Sequence, residues 1–184
     1  MKPTDELMHE HTAIKLMLSI MSKISKSIND KKVFYTNDVE KIVDFLFVYA
    51  DQGHRTKEEN VFYPALRSAK IKLENDPISL IINEHTIGKG YLKEIMCCVE
   101  NCKIGSTFSC GRIADCMKNY VDLIQNHIQR EEDVYFQLAN QTFSQETQNE
   151  ISNSFLKIDN DFRVSGLHEQ QKELLDTMKA KYLN

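Results

Sequence analysis

Six side chains in this sequence have the type and spacing to do metal chemistry: His11, His54, Glu58, His85, His127 and Glu131. Imidazole offers a neutral nitrogen donor and carboxylate an anionic oxygen donor, a combination that suits first-row transition ions. The spacing repeats. His54-Arg-Thr-Lys-Glu58-Glu59-Asn-Val61-Phe62-Tyr63 and His127-Ile-Gln-Arg-Glu131-Glu132-Asp-Val134-Tyr135-Phe136 both read H-x-x-[K/R]-E-E-x-V-[F/Y]-[F/Y]. A second repeated pair, Glu10-His11 and Glu84-His85, precedes each copy. His85 follows His11 by 74 residues and His127 follows His54 by 73, so the chain reads as two related halves.

Helical geometry explains the H-x3-E spacing. Four residues advance about 400° round an α-helix, so the histidine and glutamate point the same way, about 6 Å apart along the axis. Glu59 and Glu132 turn about 100° away and face solvent or a neighbouring helix. Lys57 and Arg130 also sit off the inner face.

The elements that must position these groups are four helices. The first spans about 5–29, capped by Thr4 or Asp5, with Leu7, Met8, His11, Ile14, Leu18 and Met21 on one face. The second spans about 37–68 and aligns Phe47, Ala50, His54, Glu58, Val61 and Phe62; Pro64 should kink or end it near its last turn. The third spans about 77–102, with Asp76 as cap and Pro77 at its first position, and lines up Ile78, Ile81, Ile82, His85, Gly88, Leu92 and Ile95. A loop containing Gly105 leads to the fourth, about 109–140, with Tyr120, Leu123, Ile124, His127, Glu131, Val134, Tyr135 and Leu138 inward. Short connections make neighbours antiparallel. The fold expected is therefore all-α: an antiparallel up-down four-helix bundle over 1–142. Residues 143–184 form a C-terminal helical extension, with amphipathic segments near 145–159 and 166–183 that pack on the bundle or serve as a contact for a second copy or a protein partner.

The polar groups on the apolar faces need an explanation. An ionised carboxylate in a core costs several kcal/mol unless it is paired or bound to metal, and two facing each other cost more. A lone core histidine is usually hydrogen-bonded and structural, and a lone H-x3-E is usually a surface pair. Two copies of each motif, alternating over four helices, are hard to explain structurally. They predict a shared site for two metal ions, with iron suited better than manganese or zinc, and with two carboxylates able to bridge. The pattern differs from ferritin-like proteins, which use E-x-x-H pairs.

Bulk properties fit this reading. The 184 residues suffice for one well-buried domain, with 41% hydrophobic and 27% charged residues, three prolines and six glycines. A net charge of -4 without a basic stripe argues against nucleic-acid binding. No apolar run is long enough to cross a bilayer, and the N-terminus lacks the apolar core of a signal peptide, so a cytoplasmic location is expected. Five cysteines, an odd number with no CxxC, argue against a disulfide framework. Cys98 and Cys102 share a helix face, but small apolar packing is the expected role.

With these motifs in place, the sequence resembles the hemerythrin-like (HHE cation-binding) family over about residues 5–140. The carriers of the resemblance are E-H on helix one, H-x3-E-E-x-V-F-Y-P on helix two, E-H on helix three and H-I-x-x-E-E on helix four. The resemblance implies that His11, His54, Glu58, His85, His127 and Glu131 are ligands of two iron ions. The glutamates bridge, with a water-derived oxo or hydroxo group between the irons. One departure matters. The oxygen-carrying members place H-x3-H on the third helix, and here Lys89 occupies the second position. The four-His, two-Glu set looks more like iron-centre repair proteins of nitrosative stress and iron- or oxygen-sensing relatives, although the repair proteins carry an N-terminal cysteine-containing segment and here the first cysteine is Cys97.

The expected function is a diiron protein that binds or senses O2 or NO at an open coordination position. The alternative is a diiron enzyme acting on peroxide or NO, or an iron-centre repair or iron-donor protein. Lys89 is expected to reach outward to water. Tyr120, seven residues before His127, belongs to the core or hydrogen-bonds a bound oxygen species. Glu10 and Glu84 are solvated or orient ligands. His9 and His168 have no metal role.

Overall fold

A computed structural model describes residues 2–32, 34–69, 77–164 and 167–183, with the side chains of 77, 162–164, 167 and 168 excepted. The expected cap Asp76 and the ring of His168 fall outside the described residues. Six helices account for nearly all of the rest, and no strand occurs among the described residues. Helix α1, Pro3–Asn29, starts two residues earlier than the cap residues suggest. Pro3 takes the first helical position, where a missing N–H costs nothing, and Asp5 accepts a hydrogen bond from the Lys2 N–H at 3.0 Å. Thr4 instead donates to Asn140 on another helix, at 2.9 Å.

Helix α2 is a continuous rod of five segments. It is α-helical over Thr36–Phe45, π-helical over Leu46–His54, α-helical over Arg55–Lys57, π-helical over Glu58–Phe62 and α-helical again over Tyr63–Ser68. Pro64 stands in the first turn of the last segment, so it is tolerated, and the helix ends one turn later. Helix α3 is Pro77–Lys103, and Gly105, at φ +100°, turns the chain into α4. Helix α4 is Thr107–Arg130, continued by π-helical Glu131–Tyr135 and α-helical Phe136–Thr142. Helices α5, Gln145–Val164, and α6, Leu167–Tyr182, follow.

Helices α1 to α4 pack in cyclic order, each against the next and α4 against α1. Their apolar faces build two core clusters. One holds Ile14, Leu18, Met21, Val39, Ile42, Leu92, Ile95 and Met117; the other holds Leu7, Phe62, Tyr63, Ile78, Phe136 and Phe155. On every bundle helix the predicted donors fall between residues of the two clusters. The polar layer is therefore closed off above and below by hydrocarbon.

The structure corrects the expected inner face at Val134, which is 49% exposed. A π turn adds a residue to the helical repeat, so the face shifts phase just after Glu131. Tyr135 and Phe136 then take the buried positions. The C-terminal helices pack on the α1–α2 side of the bundle, where Lys181 and Tyr182 both bond to Asp38 of α2. The cysteine expectation is also corrected. The α3–α4 hairpin brings Cys102 and Cys110 to a Cα separation of 5.2 Å, and they form a disulfide, while Cys97, Cys98 and Cys116 are free thiols. A metal role for Cys98 with Cys102 is thereby removed.

Candidate metal centre

The polar layer contains all six predicted side chains, and all are buried: His11, Glu58 and Glu131 fully, His54, His85 and His127 nearly so. They form two groups, His11, His54, Glu58, Glu131 and His85, His127, Glu58, Glu131, in each of which one donor atom per residue lies within 4.8 Å of the others. The glutamates belong to both groups. Glu58 turns Oε1 to His54 Nε2 at 3.1 Å and Oε2 to His85 Nε2 at 3.4 Å. Glu131 turns Oε1 to His127 Nε2 at 3.2 Å and Oε2 to His11 Nε2 at 3.3 Å. His85 and His127 approach to 3.0 Å between their Nε2 atoms. Donors about 2.1 Å from a common ion, at right angles to one another, stand about 3 Å apart. The donor cage has that size.

Four carboxylates outside the cage fix the histidines. The Nδ1 of His54 lies 2.7 Å from Glu10, that of His85 2.8 Å from Glu59, that of His127 3.0 Å from Glu84 and that of His11 2.9 Å from Glu132. The pattern is cyclic: α1 supports α2, α2 supports α3, α3 supports α4, and α4 supports α1. With Nδ1 donating outward, each Nε2 lone pair points inward, the tautomer a metal needs. Glu10 and Glu84 are thus orienting groups, and Glu59 and Glu132 face the neighbouring helix. The doubled letters in E-H and E-E-x-V were the signal, because a residue next to a donor turns towards the next helix.

Unpartnered atoms mark the same place. His11 Nε2, both oxygens of Glu58 and Glu131 Oε2 are buried without a hydrogen-bond partner. Native cores rarely leave such atoms unpaired, and a cation would satisfy all of them. The donor set therefore fits divalent or trivalent metal.

Two contributors were missed from sequence. Tyr63 Oη donates to Glu131 Oε1, and burial together with the Glu131 and Glu58 charges holds its phenol well above the usual range, so it keeps its proton. Its counterpart in the second copy is Phe136, which stacks on the His11 ring at 5.4 Å and 15°. The swapped order, Phe62-Tyr63 against Tyr135-Phe136, was the available clue. Beside the cage lies a cavity of about 50 Å³ lined by His54, His85, Gly88, Leu92, Tyr120 and Ile124 among others. Lys89 also lines the cavity; its side chain is 40% exposed, and Asp51 holds its ammonium at 2.6 Å and Arg55 at 2.7 Å.

Without metal the charges themselves carry the pairing, which gives a pH dependence. Burial pulls the His127 ring down, but Glu131 and Glu84 overcome it and raise it to about 10; His54 is raised well above its usual value, against its burial, by Glu58 and Glu10. Burial pushes Glu10 up, but His54 and Lys57 bring it down to about 2. The raised histidines stabilise the fold fully below their unfolded value of about 6.5, and the His127 contribution disappears as pH rises towards 10. The lowered carboxyl stabilises above about 4.5 and is lost as pH falls towards 2. Metal-stripped protein should therefore lose a few kcal/mol in urea unfolding between pH 6 and pH 10. A flat profile over that range would refute the pairing.

The family model described as Hemerythrin HHE cation binding domain matches residues 2–139. No curated protein and no solved structure matches the chain.

Proposed function

Because the chain belongs to the hemerythrin HHE cation-binding domain family, we propose that it holds two iron ions and binds or senses O2 or NO beside them. His11 and His54 would hold one ion, His85 and His127 the other, and Glu58 and Glu131 both. The observation that carries this reading is the pair of shared glutamates, each with one oxygen towards either histidine pair. Iron held there supplies a redox couple and, where Lys89 stands in place of a further histidine, a coordination position left to a small ligand.

The chain's own residues set what that ligand can be. A cavity of about 50 Å³ has room for a diatomic or triatomic molecule, since about 10–15 Å³ on the same measure suffices for one water. Leu92, Tyr120 and Ile124 make much of its wall, which favours an uncharged gas over an ion. Asp51 and Lys89, which also line the cavity, neutralise each other at 2.6 Å. No helix among the described residues is long and apolar enough to cross a membrane.

The test is metal analysis with anaerobic optical spectra. About two iron ions per chain and a visible band that comes and goes with O2 or NO are expected. Far less iron after growth in iron-rich medium would sink the reading. A second reading, turnover of peroxide or NO or donation of iron, is favoured by the Tyr63 hydroxyl on the shared Glu131. Rapid autoxidation with consumption of peroxide or NO would select it.

Gly88 offers a sharper check of the cavity. A Cβ there would lie 3.3 Å from Ile124 Cδ1 and 3.4 Å from Tyr120 Cε2, so any larger side chain must take up cavity space. Gly88→Val should leave metal content unchanged and slow ligand binding about tenfold or more, because a close-packed wall has no slack. Stopped-flow mixing with NO reads this directly; an unchanged rate would place the access route elsewhere.

A further inference from the structure

The two halves of the centre also differ at the residue before each shared glutamate. In the second half Arg130 donates to Glu84, which holds His127, and the Arg130 side chain is 41% exposed. In the first half its counterpart Lys57 is 1% exposed. Three carboxylates surround the Lys57 ammonium: Glu6 at 2.7 Å, Glu10 at 2.6 Å and Asp159 at 2.6 Å. These carboxylates alone could gather a cation, but the ammonium already stands among them. Asp159 comes from α5, as does Phe155, whose ring lies 5.5 Å from the same ammonium. Both lie beyond residues 2–139, the part of the chain that matches the family.

Glu10 spans the gap to the centre. Its Oε1 accepts a hydrogen bond from Lys57 Nζ and its Oε2 accepts one from His54 Nδ1. A continuous line of short bonds therefore runs from Asp159 through Lys57 and Glu10 to His54, whose Nε2 lies 3.1 Å from Glu58 Oε1. A buried ammonium needs its counter-charges, so removing one leaves the others to rearrange or draws Lys57 towards water. Either change loosens Glu10 and with it the direction of the His54 lone pair.

We propose that Lys57 and Asp159 are positioning residues for the His11–His54 half of the metal centre, so that docking of α5 and metal binding in that half strengthen each other. The proposal rests on the ligand assignment given under Proposed function. The coupling is reciprocal by thermodynamic necessity: if α5 raises metal affinity, metal tightens α5. Among the described residues the His85–His127 half has no such tie to α5.

Protein loaded anaerobically with ferrous iron and mixed with excess chelator tests this. In wild type the two ions should leave in two phases. Asp159→Ala and the milder Asp159→Asn should speed one phase about tenfold, the low end for loss of a group that orients a ligand, and leave the other unchanged. Asp159→Glu should restore the rate, and Lys157→Ala, on the exposed side of α5, should change nothing. Arg130→Met should speed the opposite phase, which assigns the two. Amide exchange over 145–164 should slow on metal loading in wild type and not in Asp159→Asn. Identical release in wild type and both Asp159 variants, equal acceleration of both phases, or exchange in α5 indifferent to metal would each overturn the proposal while leaving the diiron reading intact. Failure of the wild type to take up metal would overturn both.

Discussion

Replacing Glu58 by alanine should empty the centre of both ions, whereas replacing His11 by alanine should remove about one. Glu58 supplies an oxygen to each donor group, so its loss leaves neither complete. His11 belongs to one group alone. Binding to a structural site is worth on the order of 10 kcal/mol, and deleting a shared anionic donor removes charge neutralisation as well as a bond. Metal analysis after gel filtration reads the difference. Full occupancy in Glu58→Ala, or equal losses in both variants, would sink the shared-glutamate arrangement. In metal-free protein the same substitution should still destabilise the fold near pH 6, by a few kcal/mol, because it removes the carboxylate paired with the buried His54 and His85 rings.

Phe136→Ala should lower the unfolding free energy by about 3–5 kcal/mol, the usual cost of truncating a fully buried phenylalanine. Phe136 is enclosed by the His11 ring and by Phe62 at 5.3 Å, edge to face. The cavity opens against His11, so release of the ion in the first half should accelerate while the other is retained. Urea unfolding of metal-free protein isolates the packing cost, and a loss below about 1 kcal/mol would mean the ring is not the wall it resembles. Phe136→Leu should recover most of the stability without restoring the stacked contact.

The donors were legible because a helix repeats every 3.6 residues and the chain wrote its motif twice. His54 with Glu58, and His127 with Glu131, followed from spacing alone, and the resemblance named the metal. Glu59 and Glu132 show where one dimension runs out. Spacing could turn them away from the centre, but only packing decides that each meets the histidine of the adjacent helix. Lys57 shows the same limit more severely. Its partner Asp159 lies 102 positions along the chain, in a segment whose polar composition gave no address. Val134 failed for a local reason, since an α-helical period cannot anticipate a π turn. The Cys102–Cys110 bond was hidden because counting cysteines ignores the hairpin that joins two of them.

The division of the donors between halves has an architectural consequence. Each donor group takes three of its four members from one helical hairpin and the fourth, a glutamate, from the other. Two of the four histidine supports stay within a hairpin, Glu10 to His54 and Glu84 to His127, and two cross between hairpins. The hairpins are thus exchanging like for like across a twofold axis, as two subunits of a dimer do. Nothing in the cage requires their covalent connection. A chain half as long, paired with its own copy, would already present the whole set of ligands, and fusion of the two copies would free each to diverge, one to acquire Tyr63 and the clasp to α5, the other to keep the aromatic wall.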